Sequence, residues 1–128
     1  MKILTLIAQV LVGLVFVVFG SNAFLHFIPP QFPPGLAGQF LTALIESKYA
    51  MFVGGVQVAG GALLLVNRFV PLGLTLLGPV VFNILLFHLL LSRPGGSIAL
   101  TVSILWAFLM LRYRKNFASL FEAKPAQV

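Results

Sequence analysis

The stretch ILTLIAQVLVGLVFVVFGSNAFL, Ile3 to Leu25, carries no formal charge. It exceeds the ~20 residues a helix needs to cross a ~30 Å hydrocarbon core, and its apolar side chains lack the alternation of a barrel strand. In lipid a backbone must satisfy its own N–H and C=O groups, so the stretch reads as a transmembrane helix. Working outward, Tyr49 to Val66 is uncharged between Lys48 and Arg68, and Phe69 to Leu91 is uncharged between Arg68 and Arg93. Ser97 to Leu111 is apolar again before Arg112, and it approaches spanning length only when counted from Gly95. Four spans follow, at about 3–25, 49–66, 69–91 and 95–111, with a loop at 27–48 and a tail from 112 to 128. A cleaved leader is the competing reading of the N-terminus, because Lys2 precedes the apolar run and Ser21 and Ala23 resemble a small-residue cleavage site. The run is longer than the 7–15 residues usual in such a segment.

Composition agrees with lipid as the main solvent. The chain is 60% hydrophobic and 8% charged, against roughly 25% charged in a soluble domain. Its net charge of +6 does not point to nucleic acid, since the basic residues stand singly between uncharged runs. Lys2, Arg68, Arg112, Arg114, Lys115 and Lys124 fall on one side of a four-span plan, and Lys48 and Arg93 on the other. The excess of cations places both termini in the cytoplasm, in a multi-pass protein of a bacterial-type inner membrane. Tyr49 and Tyr113 suit interfacial anchors.

The outer loop is not a plain linker. Pro29, Pro30, Pro33 and Pro34 cannot continue a helix, whereas Leu36, Phe40, Leu41, Leu44 and Ile45 recur at helical spacing. This predicts a short amphipathic helix lying on the outer face of the spans. The fold class is therefore all-α, a transmembrane four-helix bundle with one short amphipathic helix in the first outer loop. In the second span Gly54, Gly55, Ala59, Gly60 and Gly61 would let backbones approach closely. Gly54, Gln57 and Gly61 share a face, which turns the Gln57 amide toward protein. Gly78 and Pro79, well inside the third span, predict a kink whose freed carbonyl needs a neighbour or water.

Polar side chains at membrane depth are costly without partners and so mark candidate sites. Asn22, His26, Asn83 and His88 lie within about 12 Å of the outer end at 1.5 Å per residue, and Gln57 lies near the middle. Gln9 and Thr75 are left toward the cytoplasm. The expectation is a polar-tipped cavity opening outward, lined by Asn83, His88, Asn22, His26 and Gln57. The competing reading makes the same groups hydrogen-bonded cross-links between helices. Asn22 and His26 share a face, but Asn83 and His88 are about 140° apart on an ideal helix.

The chemistry available is narrow. No cysteine is present and the only acids, Glu46 and Glu122, flank the spans. Paired carboxylates, a proton relay of carboxylates and a Ser-His-acid triad are all missing, so a self-contained enzyme is not expected. Two histidines do not by themselves call for haem, which needs both imidazoles inward at one level.

With FVVFGSNAFLHFIPP at Phe16 to Pro30, and LLLVNRFVPLGLTLLGPVVFNILLFH at Leu63 to His88 after a Gly-rich second span, the chain resembles the DoxX family, in its DoxX-like branch. The resemblance covers nearly the whole chain. It implies a four-span membrane protein linked to quinone-dependent thiosulfate oxidation and to oxidative-stress complexes. The family pattern has an acidic residue in the second span where this chain has Gln57, which removes a proton-coupled role there and keeps a hydrogen-bonding one. Asn83 and His88 match the family-like NILLFH string. Three functions are therefore expected to compete. The first is an accessory subunit that holds a quinone, lipid or other amphipathic molecule for a membrane redox partner. The others are a small transporter gated by the third span and the loop, and a structural or assembly subunit, including a homo-oligomer.

Overall fold

A computed structural model describes residues 1–128, and every regular element in it is helical. The elements are α1 (Lys2–Leu25), α2 (Leu36–Glu46), α3 (Tyr49–Leu65), α4 (Val70–Leu90), α5 (Gly96–Arg112) and a C-terminal 3-10 segment (Arg114–Phe121). Two of them, α1 and α4, are long and apolar enough on their own to cross a membrane. With 17 residues each, α3 and α5 measure about 26 Å, short of a ~30 Å core. Each is extended by a bent neighbour: α2 meets α3 at 82° and the 3-10 segment meets α5 at 79°. Counting each bent pair as one crossing gives up to four.

The corners have local causes. Between α2 and α3, Lys48 adopts a left-handed backbone (φ 65°) and the Tyr49 N–H donates to Ser47 Oγ at 3.2 Å. After α1, His26 is left-handed (φ 53°), and Asn22 Oδ1 accepts from the Ile28 N–H at 2.7 Å. That bond fixes the direction in which Pro29 and Pro30 leave the helix. Asn67 (φ 56°) and Phe69 (φ 54°) shape the turn between α3 and α4. Asn tolerates this region, whereas for Phe it stores backbone strain.

α1 packs against α3 and α5, α3 against α4, and α4 against α5. The pairs run antiparallel, so both termini lie at one end with the α3–α4 turn, and α2 lies at the other. Glycine sets the closest approaches. A Cβ added to Gly61 would sit 2.8 Å from the Gly13 carbonyl oxygen, and one on Gly54 would sit 2.7 Å from that of Gly20. These two levels are two turns apart on both helices, and they bring α1 and α3 into backbone contact. Gly60 and Gly73 do the same for α3 and α4, with a Cβ on Gly73 2.9 Å from the Gly60 oxygen. Around these contacts the core is apolar, with Val12, Phe16, Leu64, Leu74, Leu77 and Leu109 at its centre.

α4 continues as helix through Gly78 and Pro79. The proline has no N–H for the Thr75 carbonyl, and the donor from the neighbouring helix arrives one residue earlier. Trp106 of α5 donates its indole N–H to the Leu74 carbonyl at 3.0 Å, with its ring over Gly78.

α2 is the short helix expected in the loop after α1. Its buried residues are Ala37 and Gly38, whereas Leu36 (70%), Phe40 (42%) and Ile45 (37%) stay exposed. The reason is close approach: Gly38 lies under the Pro33 carbonyl, where no side chain fits. Small residues therefore make the closest contact with protein, while on the apolar side Leu41 and Leu44 are half-buried and Leu36, Phe40 and Ile45 are left open. Phe40 still reaches α4, with its ring 5.8 Å from that of Phe87.

Candidate functional site

The fully buried polar side chain of this molecule is Gln9, 1% exposed, at the end that carries both termini. Burial of an amide requires partners on every side, and Gln9 has them on three chain segments. Its Nε2 donates to the Leu64 carbonyl at 2.9 Å and to Asn67 Oδ1 at 2.8 Å. Its Oε1 accepts from the Tyr113 hydroxyl at 2.7 Å. Because a carbonyl can only accept, the nitrogen must face Leu64 and the oxygen must face Tyr113. Gln9 thus supplies a second donor in the last turn of α3, where the Leu64 carbonyl otherwise accepts only a 3.3 Å bond from the Asn67 N–H. It also ties that turn to α1 and to the end of α5.

Above this cluster lies a cleft of about 360 Å³ lined by Lys2, Thr5, Leu6, Gln9, Asn67, Arg112 and Tyr113. Arg112 Nε donates to Thr5 Oγ1 at 3.1 Å, and Thr5 in turn donates to the Met1 carbonyl at 2.9 Å. No acid lines the cleft, and the two acids of the chain stand elsewhere, Glu46 ending α2 and Glu122 in the C-terminal tail. A second, more open cleft of about 560 Å³ lies at the opposite end, lined in part by Phe32, Pro33, Gln39, Thr42 and Glu46.

The five residues expected from sequence lie apart from the first cleft, and no hydrogen bond joins any two of them. Asn22 is half-buried and bonds Ile28, while His26 is exposed in the bend that follows α1. Asn83 is exposed and donates to the Pro79 carbonyl of its own helix at 2.8 Å. His88 is half-buried, with Nδ1 2.8 Å from the Ile84 carbonyl and Nε2 toward the turn at Gly95. A carbonyl partner makes Nδ1 the protonated nitrogen of the neutral ring and leaves Nε2 as an acceptor. Of the pair separated by about 140°, His88 is the one turned inward. Gln57 is half-buried beside α1, its Cβ against Gly20, and its amide makes no bond within the protein. No group of three or more His, Cys, Asp or Glu side chains is placed to hold a metal ion.

One prediction follows from Asn83. An exposed side chain bonded only to its own turn contributes little, so Asn83→Ala is expected to change stability by less than about 0.5 kcal/mol. Thermal unfolding of the purified variant checks this, and a large loss would mean that Asn83 links helices.

In the sequence Gln9 reads only as a polar residue toward the cytoplasm, and Tyr113 as an interfacial anchor. Depth was the available signal, because Gln9, Asn67, Arg112 and Tyr113 all fall at the same end of a four-span plan.

Fold and site together define an all-helical protein with helices apolar enough for a membrane, and a cationic polar cleft at one end of them. No protein-family model, no curated protein and no solved structure matches the chain.

Proposed function

We propose that this chain is a four-span membrane protein with both termini cytoplasmic, and that it works as an accessory subunit holding an amphipathic molecule by its polar head. The resemblance to the DoxX family supplies the wider setting, a redox or oxidative-stress complex of a bacterial-type inner membrane in which a partner carries the electron chemistry. The observation that carries the reading is the cleft over Gln9, Asn67 and Tyr113. It is a polar recess set against the exposed apolar flank of α1, where Ile3 is 74% and Leu6 51% exposed. A molecule with one polar and one apolar end fits such a boundary.

The orientation is supported by charge, since Lys2, Arg68, Arg112, Arg114, Lys115 and Lys124 share the terminal end. The 3-10 segment suits an interfacial anchor, with Phe117 buried (7%) and Leu120 and Phe121 exposed (72% and 87%) beside Arg114 and Lys115. Gln57 at mid-span and the Nε2 of His88 toward the opposite end are hydrogen-bonding groups with no partner inside the protein. With Asn22, His26 and Asn83 they form the proposed attachment for an uncharged head such as a quinone. A transporter requires helices that move past one another. The paired glycine contacts of α1 with α3 and of α3 with α4 favour a fixed assembly instead.

The test is thermal unfolding of the detergent-purified protein against a long-chain quinone and against phospholipids of several headgroups. A concentration-dependent rise in the midpoint with any of them supports a holding function. No rise with any of them would leave a purely structural subunit.

A further inference from the structure

We infer that the cleft at the terminal end is a binding site for a phosphate group, presented at this depth by the headgroup of an anionic phospholipid. The inference rests on the holding function proposed above and narrows it to a ligand class. It comes from counting which polar atoms of the cleft are already used.

Each side-chain oxygen in the lining already takes part in a hydrogen bond inside the protein, including the Tyr113 hydroxyl as donor. Gln9 Oε1 accepts from Tyr113, Asn67 Oδ1 accepts from Gln9, and Thr5 Oγ1 accepts from Arg112. The Thr5 hydroxyl proton is also spent, on the Met1 carbonyl. Both amide protons of Gln9 are used as well. The polar side-chain groups of the lining that make no bond inside the protein are all donors: the ammonium of Lys2, the terminal guanidinium nitrogens of Arg112 and the amide nitrogen of Asn67. Two of these three groups carry full positive charge and have no carboxylate among the lining residues. A recess of free donors with uncompensated positive charge selects an oxyanion, and planar guanidinium with ammonium is the pairing that phosphate takes best.

Placement selects the source. Leu6 lines the cleft and is 51% exposed, and Val10 one turn further along α1 is 37% exposed. An acyl chain could follow this flank from a headgroup seated between Lys2 and Arg112. Basic recesses between spans at the cytoplasmic side are a recurrent seat for anionic headgroups. Gln9 and Asn67 act as positioning residues, because the buried amide holds α1, the α3–α4 turn and α5 at the separation that forms the recess.

Binding to the purified protein in uncharged detergent would be followed by native mass spectrometry and by thermal unfolding. Phosphatidylglycerol and phosphatidylcholine of the same chains, inorganic phosphate and a long-chain quinone serve as probes. Phosphatidylglycerol is expected to bind about 10- to 30-fold more tightly than phosphatidylcholine, from about 1 kcal/mol per cation. The combined Lys2→Gln, Arg112→Gln variant should lose that preference, and Arg112→Lys should keep it. Lys48→Gln with Arg93→Gln, at the opposite end, should leave it intact. Competition by inorganic phosphate would assign the site to the anion itself, and its failure to compete would assign it to the lipid; either supports phosphate recognition. Equal binding of the two lipids, or a preference that survives Lys2→Gln with Arg112→Gln, would overturn the inference. A quinone that stabilises the protein while phosphate-bearing probes do not would overturn it and leave the holding function standing.

Discussion

Replacing Gly61 with alanine is expected to lower the thermal unfolding midpoint of the purified protein, and replacing Gly55 with alanine to hold or raise it. The two changes are chemically identical and lie in the same helix. Each gains about 0.5–1 kcal/mol from the helix preference of alanine over glycine. They differ in what the new methyl group meets. At Gly61 it would lie 2.8 Å from the Gly13 oxygen and 3.1 Å from the Val17 nitrogen, both backbone atoms that cannot rotate away. At Gly55 the nearest atom is the tip of the Phe24 ring at 3.9 Å, ordinary contact. Overpacking of about 1–3 kcal/mol outweighs the helix preference at the first site and is absent at the second. Gly54→Leu combined with Gly61→Leu should go further. A Cβ on either glycine would lie within 3 Å of a carbonyl oxygen of α1, so the pair of changes opens both levels of the α1–α3 contact. Loss of the folded monomer in detergent is the expected outcome. A midpoint unchanged in Gly61→Ala would show that α1 and α3 do not meet as described.

This contact also shows what sequence reading can and cannot reach. The glycine face of α3 was legible, because Gly54, Gln57 and Gly61 recur at helical spacing and small residues at such spacing pack. Their partners Gly13 and Gly20 stand seven apart in α1, two turns on one face, and only the structure marks them as a packing surface. What spacing does not reveal is the pairing, since Gly13 and Gly61 are far apart in the chain. The helix extents follow closely from charge and length: α3 and α4 are uncharged, and α1 and α5 carry a single cation each, Lys2 and Arg112, at one end. The buried side of α2 was not legible in the same way. A pattern of Leu36, Phe40, Leu41, Leu44 and Ile45 identifies a helix and an apolar side, but the pattern says protein only if water is the alternative. Beside lipid the apolar side can face outward, and contact is decided by size, which favours Ala37 and Gly38.

Depth along the spans was legible, but the cleft over Gln9 lies at the terminal end, opposite the outer end at which the sequence gathers its polar residues. Counting along the spans gathers Asn22, His26, Asn83 and His88 at one end, and that count is simple geometry. Whether an amide spends its bonds locally depends on the turn beneath it. Asn83 has the Pro79 carbonyl of its own helix four residues back and donates to it. Gln9 has no such local partner and instead meets groups 55 to 104 residues away. Long separations of this kind are set by the packing of whole helices, so the polar cluster is a product of the glycine contacts as much as of its own residues.

Tyr113→Phe is accordingly expected to cost about 1–3 kcal/mol although only one oxygen is removed. The hydroxyl is half-buried and its loss leaves the Oε1 of Gln9 buried without a donor, at a residue 1% exposed. An unsatisfied buried acceptor carries its full desolvation cost, which exceeds the net value of the bond it lost. Gln9→Leu removes the amide instead. It frees the Tyr113 hydroxyl and the Asn67 carboxamide, both of which border the cleft and can turn to water, but it takes one donor from the Leu64 carbonyl. A similar loss is expected, by a different route. Combining the two changes removes donor and acceptor together and leaves two apolar side chains in contact. The double variant should then be more stable than the sum of the single losses predicts, by about 1 kcal/mol or more for residues in direct contact. Thermal or denaturant unfolding of the four proteins closes this cycle. Strict additivity would mean that Gln9 and Tyr113 do not share a bond. The cleft above them would then lack the three-segment tie that holds Lys2, Asn67 and Arg112 around one recess.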